Sequence, residues 1–310
     1  MRRTLSGERA TAYLGLVLTA IFWAGNAVIA RAVAHEIGAF TLAFGRWIGA
    51  LLILLPFAIP HLRRAAPVVR ANLAPLFWLG LLGVGTFNTL LYLAAHTTTA
   101  LNITLVNSTI PVVIAVLGHF VLGHRTTRGQ VVGFLLAAAG MLAIVTRGEW
   151  GVLAGFAFRE GDLVMIVAVI VWGIYSVLLR VWRLEIHPLG FLTLTVIVGV
   201  AVLAPPFLWE LSIRGGPAFR GEYVAIFAYL AIFPSVLAYL FWNRAVAVVG
   251  PGITAMFIYL VPLFTAGLAY AFLDEELRGY HAAGAVLILV GLYLAIRPTP
   301  PPSLHRIAPR

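Results

Sequence analysis

Ten mainly apolar stretches follow one another along the chain, at 12–31, 39–60, 73–95, 100–121, 129–146, 162–181, 189–209, 223–244, 252–273 and 279–296. Each has about the 20 residues that a helix needs to cross roughly 30 Å of hydrocarbon. Polar residues inside these stretches recur at helical spacing. Helix four carries Thr104, Asn107, Ser108 and Pro111 at i, i+3, i+4 and i+7, and helix one carries Thr19, Trp23 and Asn26. Helix three has Asn88, Tyr92 and His96, and helix six has Trp172, Tyr175 and Ser176. Helix eight has Ser235, Tyr239, Trp242 and Asn243, and helix nine has Thr254, Tyr259 and Pro262. A polar side chain facing lipid is costly, so such stripes are expected to face protein or a wet cavity. Helices five and ten carry almost no polar side chains. Their Gly133, Ala137, Gly140, Gly284 and Gly291 make small-residue faces suited to close packing, on each other or across a dimer.

The second half repeats the first. Pro111, Leu122, Gly133 and Gly140 recur as Pro262, Leu273, Gly284 and Gly291, and Trp23 and Arg31 recur as Trp172 and Arg180, at shifts of about 151 and 149 positions. Five helices per copy place the second copy upside down relative to the first, the architecture of a carrier that opens alternately to either side. The expected fold is an all-α integral membrane protein with ten transmembrane helices in two inverted five-helix repeats, 1–148 and 149–298. A loose tail, 299–310, follows the Pro-rich stretch Pro298 to Pro302. The longest turn falls at Gly215-Gly216-Pro217. The first apolar run is too long for a signal-peptide core and is kept as helix one.

Composition fixes the solvent: 62% of residues are hydrophobic and 10% charged, unlike a soluble domain. With zero Cys there is no disulfide or thiol chemistry. The formal charge of +10 comes from 21 basic residues, all Arg. Placing the N-terminus in the cytoplasm puts 14 of them on that side and six on the other, with Arg46 inside a span. That bias orients both termini to the cytoplasm and removes the need for a nucleic-acid partner.

Each candidate has a plainer reading beside the functional one. An Asn or Thr inside a span is often interhelical glue, and Trp47, Trp150 and Trp209 read as interfacial belt. Trp23, Trp172, Tyr239 and Trp242 lie on polar stripes and read as cavity lining. Pro111 and Pro262 read as paired kinks, and such breaks in two halves point to a binding site. Arg46 reads as snorkelling to the outer interface, with a carboxylate partner as the competing role.

These residues resemble a known family. Phe22-Trp23-Ala24-Gly25-Asn26 looks like the W-G-x-N signature of the drug/metabolite transporter superfamily, EamA type. Residues 91–123 resemble its helix-three to helix-four unit, and 238–277 its second copy, ending in an acidic turn before Gly284 and Gly291. The resemblance covers about 12–297. It implies two inverted EamA repeats and export of small metabolites across a bacterial inner membrane, with the amino-acid exporter branch nearest. Where the second copy has Glu275 and Glu276, the first has His124 and Arg125, which puts a shared role for that acidic turn in doubt.

The expected wall of amides, hydroxyls and aromatic rings suits a neutral or zwitterionic amino acid or related metabolite, aromatic ones included. The substrate-binding candidates are Trp23, Asn26, Asn88, Tyr92, His96, Asn107, Ser108, Trp172, Tyr175, Tyr239, Trp242 and Tyr259, with Pro111 and Pro262 as kinks. No cofactor, metal or catalytic group is expected. Asp162 and Glu160 sit at the edge of helix six, His96 and His119 near opposite ends of theirs, so no mid-span carboxylate offers proton coupling and facilitated transport is expected. A proton-coupled multidrug or metabolite antiporter is the alternative; a small four-helix one would need Glu where Asn26 stands. An intramembrane enzyme would need a convergent catalytic set, and His119 and His124 lack a carboxylate. Monomer and homodimer are both left open.

Overall fold

A computed structural model describes residues 2–33, 36–123, 126–149, 151–154, 158–216, 220–273 and 276–297. Among the described residues the regular structure is entirely helical, and ten helices are long and apolar enough to cross a membrane. We label these spans α1 (Gly7–Ala30), α2 (Ala39–Ala71), α3 (Leu73–Thr97), α4 (Asn102–Leu122), α5 (Arg128–Val145), α6 (Glu160–Val181), α7 (Pro188–Arg214), α8 (Gly221–Val249), α9 (Pro251–Leu268) and α10 (Gly279–Ile296). Their lipid-side positions carry exposed Leu14, Leu52, Phe57, Phe120, Leu135 and Val286, an apolar belt that water would not tolerate at this density. Two helices outrun their apolar patterns. α2 continues to Ala71 through Arg63, Arg64 and Arg70, and α7 continues to Arg214, which draws Glu210 into the fold.

Close glycine contacts establish the inversion. A Cβ on Gly133 of α5 would lie 2.5 Å from the Gly291 carbonyl oxygen of α10, and one on Gly140 would lie 2.5 Å from that of Gly284. Rising numbers on one helix meet falling numbers on the other, so the equivalent helices of the two halves run antiparallel and pack on each other. α2 and α7 repeat the pattern: Phe40 meets Trp209 (6.4 Å), Phe44 stacks on Phe207 (4.3 Å) and His61 on His187 (3.7 Å). α1 packs against α8 and α3 against α6, pairings that interchange when the halves are exchanged.

Both halves are also broken at matching places. α3 passes through a π-helical turn at Leu81–Thr86, and α8 through one at Ala231–Leu237 that contains Pro234. α4 is interrupted between Asn107 and Ile110, and α9 narrows to a 3₁₀ turn at Phe257–Tyr259. Pro111 and Pro262 each fall in the first turn of the helical segment after the interruption, where the missing N–H costs least.

The tail from 298 onward, the turn residues His124, Arg125 and Glu275, Trp150, and Pro217 lie outside the described residues. Two sequence expectations are corrected. Trp47 does not sit in an interfacial belt; it is fully buried and meets Tyr239 edge-on at 4.9 Å. Arg46 does not snorkel. It is fully buried, about 10 Å of helix from the start of α2.

Candidate functional site

Each π-turn, in α3 and in α8, offers one backbone carbonyl to a side chain of the other half. The Gly83 carbonyl of α3 accepts from the Tyr239 hydroxyl of α8 at 2.6 Å. The Pro234 carbonyl, 151 positions on from Gly83, accepts from Arg46 Nη2 at 3.0 Å and more weakly from Trp23 Nε1 at 3.4 Å. Asn88 and Tyr239 are likewise 151 apart, and Asn88 Nδ2 donates to the Tyr239 hydroxyl at 2.9 Å. Residues related by the duplication therefore touch each other, which places them on the pseudo-twofold axis.

Two further pairs mirror each other with their residue types exchanged. The Tyr92 hydroxyl of α3 donates to Asn26 Oδ1 of α1 at 2.9 Å. The Tyr175 hydroxyl of α6 donates to Asn243 Oδ1 of α8 at 2.8 Å. Asn26 corresponds to Tyr175, and Tyr92 to Asn243. The first pair joins α1 to α3 and the second joins α6 to α8, each with one hydroxyl and one amide.

Arg46 caps the first of these pairs. Its Nη1 donates to Asn88 Oδ1 (2.9 Å), the Tyr92 hydroxyl (2.9 Å) and, at longer range, Asn26 Oδ1 (3.4 Å). Its Nε donates to Ser235 Oγ (2.7 Å), and its guanidinium lies 4.9 Å from the centre of the Trp47 ring. Among the described residues no carboxylate reaches ion-pair distance of it. A buried ion costs several kcal/mol to desolvate, and here only neutral acceptors and a ring face offset that cost. Sequence reasoning left Arg46 out of the site. The signal was present, since a charge inside an apolar span is functional by default.

Below this network the aromatic rings close on one another. Trp23 meets Trp172 at 5.5 Å and Trp242 at 5.1 Å, and Trp172 meets Trp242, Tyr175, Tyr239 and Phe87 at 5.3, 5.1, 5.6 and 4.6 Å. Eight of the twelve candidates thus form one cluster: Trp23, Asn26, Asn88, Tyr92, Trp172, Tyr175, Tyr239 and Trp242. The other four lie apart from its printed contacts. His96 is exposed near the end of α3, with Nδ1 2.8 Å from its own helix at the Tyr92 carbonyl. Asn107 and Ser108 stand at the interruption of α4, where Ser108 Oγ bonds the Leu105 carbonyl and Asn107 Oδ1 is buried without a partner. Tyr259 is buried at the matching turn of α9.

None of the twelve lines the cavity that opens at the end of the bundle. A space of about 410 Å³ opens at the face that carries the N-terminus, bounded by Arg9, Ile114, Phe134, Arg180, Met256 and Arg297 among others. The ends of α5 and α10 share in this wall, although their sequences read as scaffold, because helix ends meet there whatever their middles do. The opposite face is tied shut. Glu210 of α7 is 6% exposed and accepts from the Thr41 amide (2.7 Å) and hydroxyl (2.8 Å) at the start of α2. Asp162 of α6 is fully buried and accepts from Thr98 Oγ1 (2.5 Å), Asn102 Nδ2 (2.9 Å) and the Arg159 amide (2.8 Å). Glu36 accepts from the Tyr223 hydroxyl and from Arg220 Nη1 (3.1 Å). Both buried acids serve helix ends, which their positions at the span edges did not reveal.

Ten spans in inverted halves, shut at one face and hollow at the other around a buried polar centre, define a multi-pass membrane transporter. The EamA-like transporter family matches the chain twice, over residues 10–146 and 159–297, and the chain belongs to that family. It is 31% identical to an uncharacterized transporter of Archaeoglobus fulgidus over 91% of this chain and 96% of the relative. It is 26% identical to a probable terminal-alkyne amino-acid exporter of Streptantibioticus cattleyicolor over 92% and 93% of the two chains. A solved crystal structure shares the fold with a TM-score of 0.73 and 20% identity, covering 93% of this chain and 96% of its own.

Proposed function

We propose that the protein exports neutral or zwitterionic amino acids, or closely related metabolites, by alternating access about the central cluster. The face bearing the N-terminus and the 410 Å³ cavity is then cytoplasmic, in a bacterial inner membrane, and the shape described is the inward-open one. The observation that carries the reading is the contact of Asn88 with its duplicate Tyr239 at the centre, flanked by the mirrored pairs Tyr92–Asn26 and Tyr175–Asn243. A contact set that maps onto itself when the halves exchange supports two mirror-related states of similar energy, which alternating access requires. The cluster offers ring faces for an apolar body and amides and hydroxyls for a polar head. The amino-acid exporter named among the relatives agrees with that chemistry. Transport is facilitated, because the buried acids Asp162 and Glu210 are engaged at helix ends and none joins Arg46.

The test is counterflow of a panel of amino acids in proteoliposomes, repeated for Trp23→Ala and Tyr239→Ala, with Arg63→Gln on the exposed end of α2 as the reference variant. Flux is expected for at least one panel member, to fall in the two cluster variants, and to survive collapse of the pH gradient. Absence of flux for the whole panel would remove the amino-acid reading, and loss of flux with the pH gradient alone would remove the facilitated one.

A further inference from the structure

The two mirrored Tyr–Asn pairs differ in what they leave unsatisfied. The Tyr92–Asn26 pair is completed by Arg46. At the matching place beside Tyr175–Asn243, 149 positions on from Arg46, α7 has Thr195, whose hydroxyl turns back to the Leu192 carbonyl at 2.9 Å. Among the described residues no guanidinium completes this second pair. Around it, Asn243 Nδ2, Ser176 Oγ and the indole nitrogens of Trp172 and Trp242 are all buried without a hydrogen-bond partner. Each such atom costs about 1–3 kcal/mol when left unpaired, and native proteins hold only a few per 100 residues. Four of the six such atoms among the described residues gather on α6 and α8.

Their chemistry is one-sided. Indole N–H and amide NH₂ only donate, and a serine hydroxyl can do so. The complement is an acceptor with several lone pairs. Trp172, Ser176 and Arg180 follow one another at i, i+4 and i+8 along one face of α6, so the stripe runs from the ring cluster down to Arg180, which lines the cavity. Arg180 is braced there by its Nη1, which donates to the Ala247 carbonyl and, at 3.5 Å, to that of Val246. No Asp or Glu is among the residues bounding the cavity.

We propose that this second pole binds the carboxylate of the transported solute. Arg180 attracts it at the cavity, and Ser176, Asn243, Trp172 and Trp242 supply the donors deeper in, doing for the second half what Arg46 does for the first from within the protein. The ring cluster then takes the solute's apolar body. The inference rests on the exporter reading and names the group by which the solute is recognised, its carboxylate, with no requirement for the amine.

Equilibrium binding to the full chain in phosphatidylcholine nanodiscs, with four related probes, separates the groups. Phenylalanine and N-acetylphenylalanine carry the carboxylate; phenylalaninamide and N-acetylphenylalaninamide lack it. Both acids are expected to bind at least about tenfold more tightly than either amide, and less so at high salt. Ser176→Ala and Trp242→Phe each remove one donor to a charged group and should weaken the acids about tenfold. Asn243→Asp places a like charge at the site and should weaken them further while sparing the neutral amide. Ser176→Ala discriminates between roles, because deleting an unpaired buried hydroxyl leaves unfolding unaffected or slightly harder. Amides that bind as well as acids, or acids indifferent to both Ser176→Ala and Asn243→Asp, overturn the proposal, as does a failure of all four probes. Amino-acid flux with carboxylate-blind binding would leave the exporter reading standing and remove this one; carboxylate binding without flux of any amino acid would do the reverse.

Discussion

Replacing Gly133 by Ala is the sharpest probe of how the two halves meet. The new Cβ would stand 2.5 Å from the Gly291 carbonyl oxygen and 3.1 Å from Ala295 Cβ. Ordinary contact needs roughly 0.7–1 Å more, and a gap of that size forfeits about a quarter to a half of the dispersion attraction along the seam. Overpacking of this kind costs about 1–3 kcal/mol, offset by up to about 1 kcal/mol from the better helix propensity of Ala. Gly118→Ala provides the baseline, since a Cβ there meets nothing within 4 Å and only the propensity gain remains. The two variants should differ by about 2 kcal/mol, with Gly133→Ala the less stable. Reversible unfolding in mixed micelles, followed by the fluorescence of the eight Trp, measures the difference. Because Gly291 in turn faces the Gly133 carbonyl at 2.5 Å, one substitution opens the seam for the other. The double variant Gly133→Ala/Gly291→Ala should therefore cost less than the sum of the singles. Equal stability of Gly133→Ala and Gly118→Ala, or strict additivity in the double, would refute direct antiparallel packing of α5 on α10.

Three further outcomes follow from the same contacts. Arg46→Met removes a buried charge but takes one donor each from Asn88, Tyr92 and Ser235, so unfolding should become easier by about 2–4 kcal/mol, and an unaffected stability would show the network to be idle. Glu210→Gln keeps the size but weakens the charge-assisted bonds to Thr41 at the start of α2, and should cost about 1–2 kcal/mol in the same assay, whereas an unaffected stability would show that these bonds do not hold the two helices together. The chain has no Cys, so Thr126→Cys and Glu276→Cys can be labelled singly with an impermeant maleimide. The two should react from opposite sides of sealed vesicles, and reaction from one side would dismantle the inverted arrangement.

How much of this was legible in the chain can be judged residue by residue. The ten spans, the duplication and the glycine faces of α5 and α10 were readable because an apolar run of about 20 residues crosses a membrane as a helix and the repeat is written in Pro and Gly at fixed distance. The helix-breaking pairs were half readable. Pro111 and Pro262 announced one break, whereas the π-turns at Leu81–Thr86 and Ala231–Leu237 carry only Gly83, Gly85 and Pro234 as weak marks. Eight of twelve candidate side chains were drawn into one cluster because polar groups in hydrocarbon have few other places to go. His96 was misplaced from that cluster by its position at a helix end, where spacing continues but the apolar solvent does not.

The sequence by itself determined that this protein lies in a bilayer, how often it crosses, and that its halves are opposed, since each follows from local composition and from counting an odd number of helices. Only the tertiary structure decided which polar groups meet. Arg46 finds on its own helix only the ring face of Trp47, and its hydrogen-bond acceptors come from α1, α3 and α8, up to 189 positions away. Likewise, the unpaired donors beside Asn243 become visible only once their neighbours are in place, because satisfaction of a hydrogen bond is a property of two groups in space and one-dimensional spacing specifies just one of them.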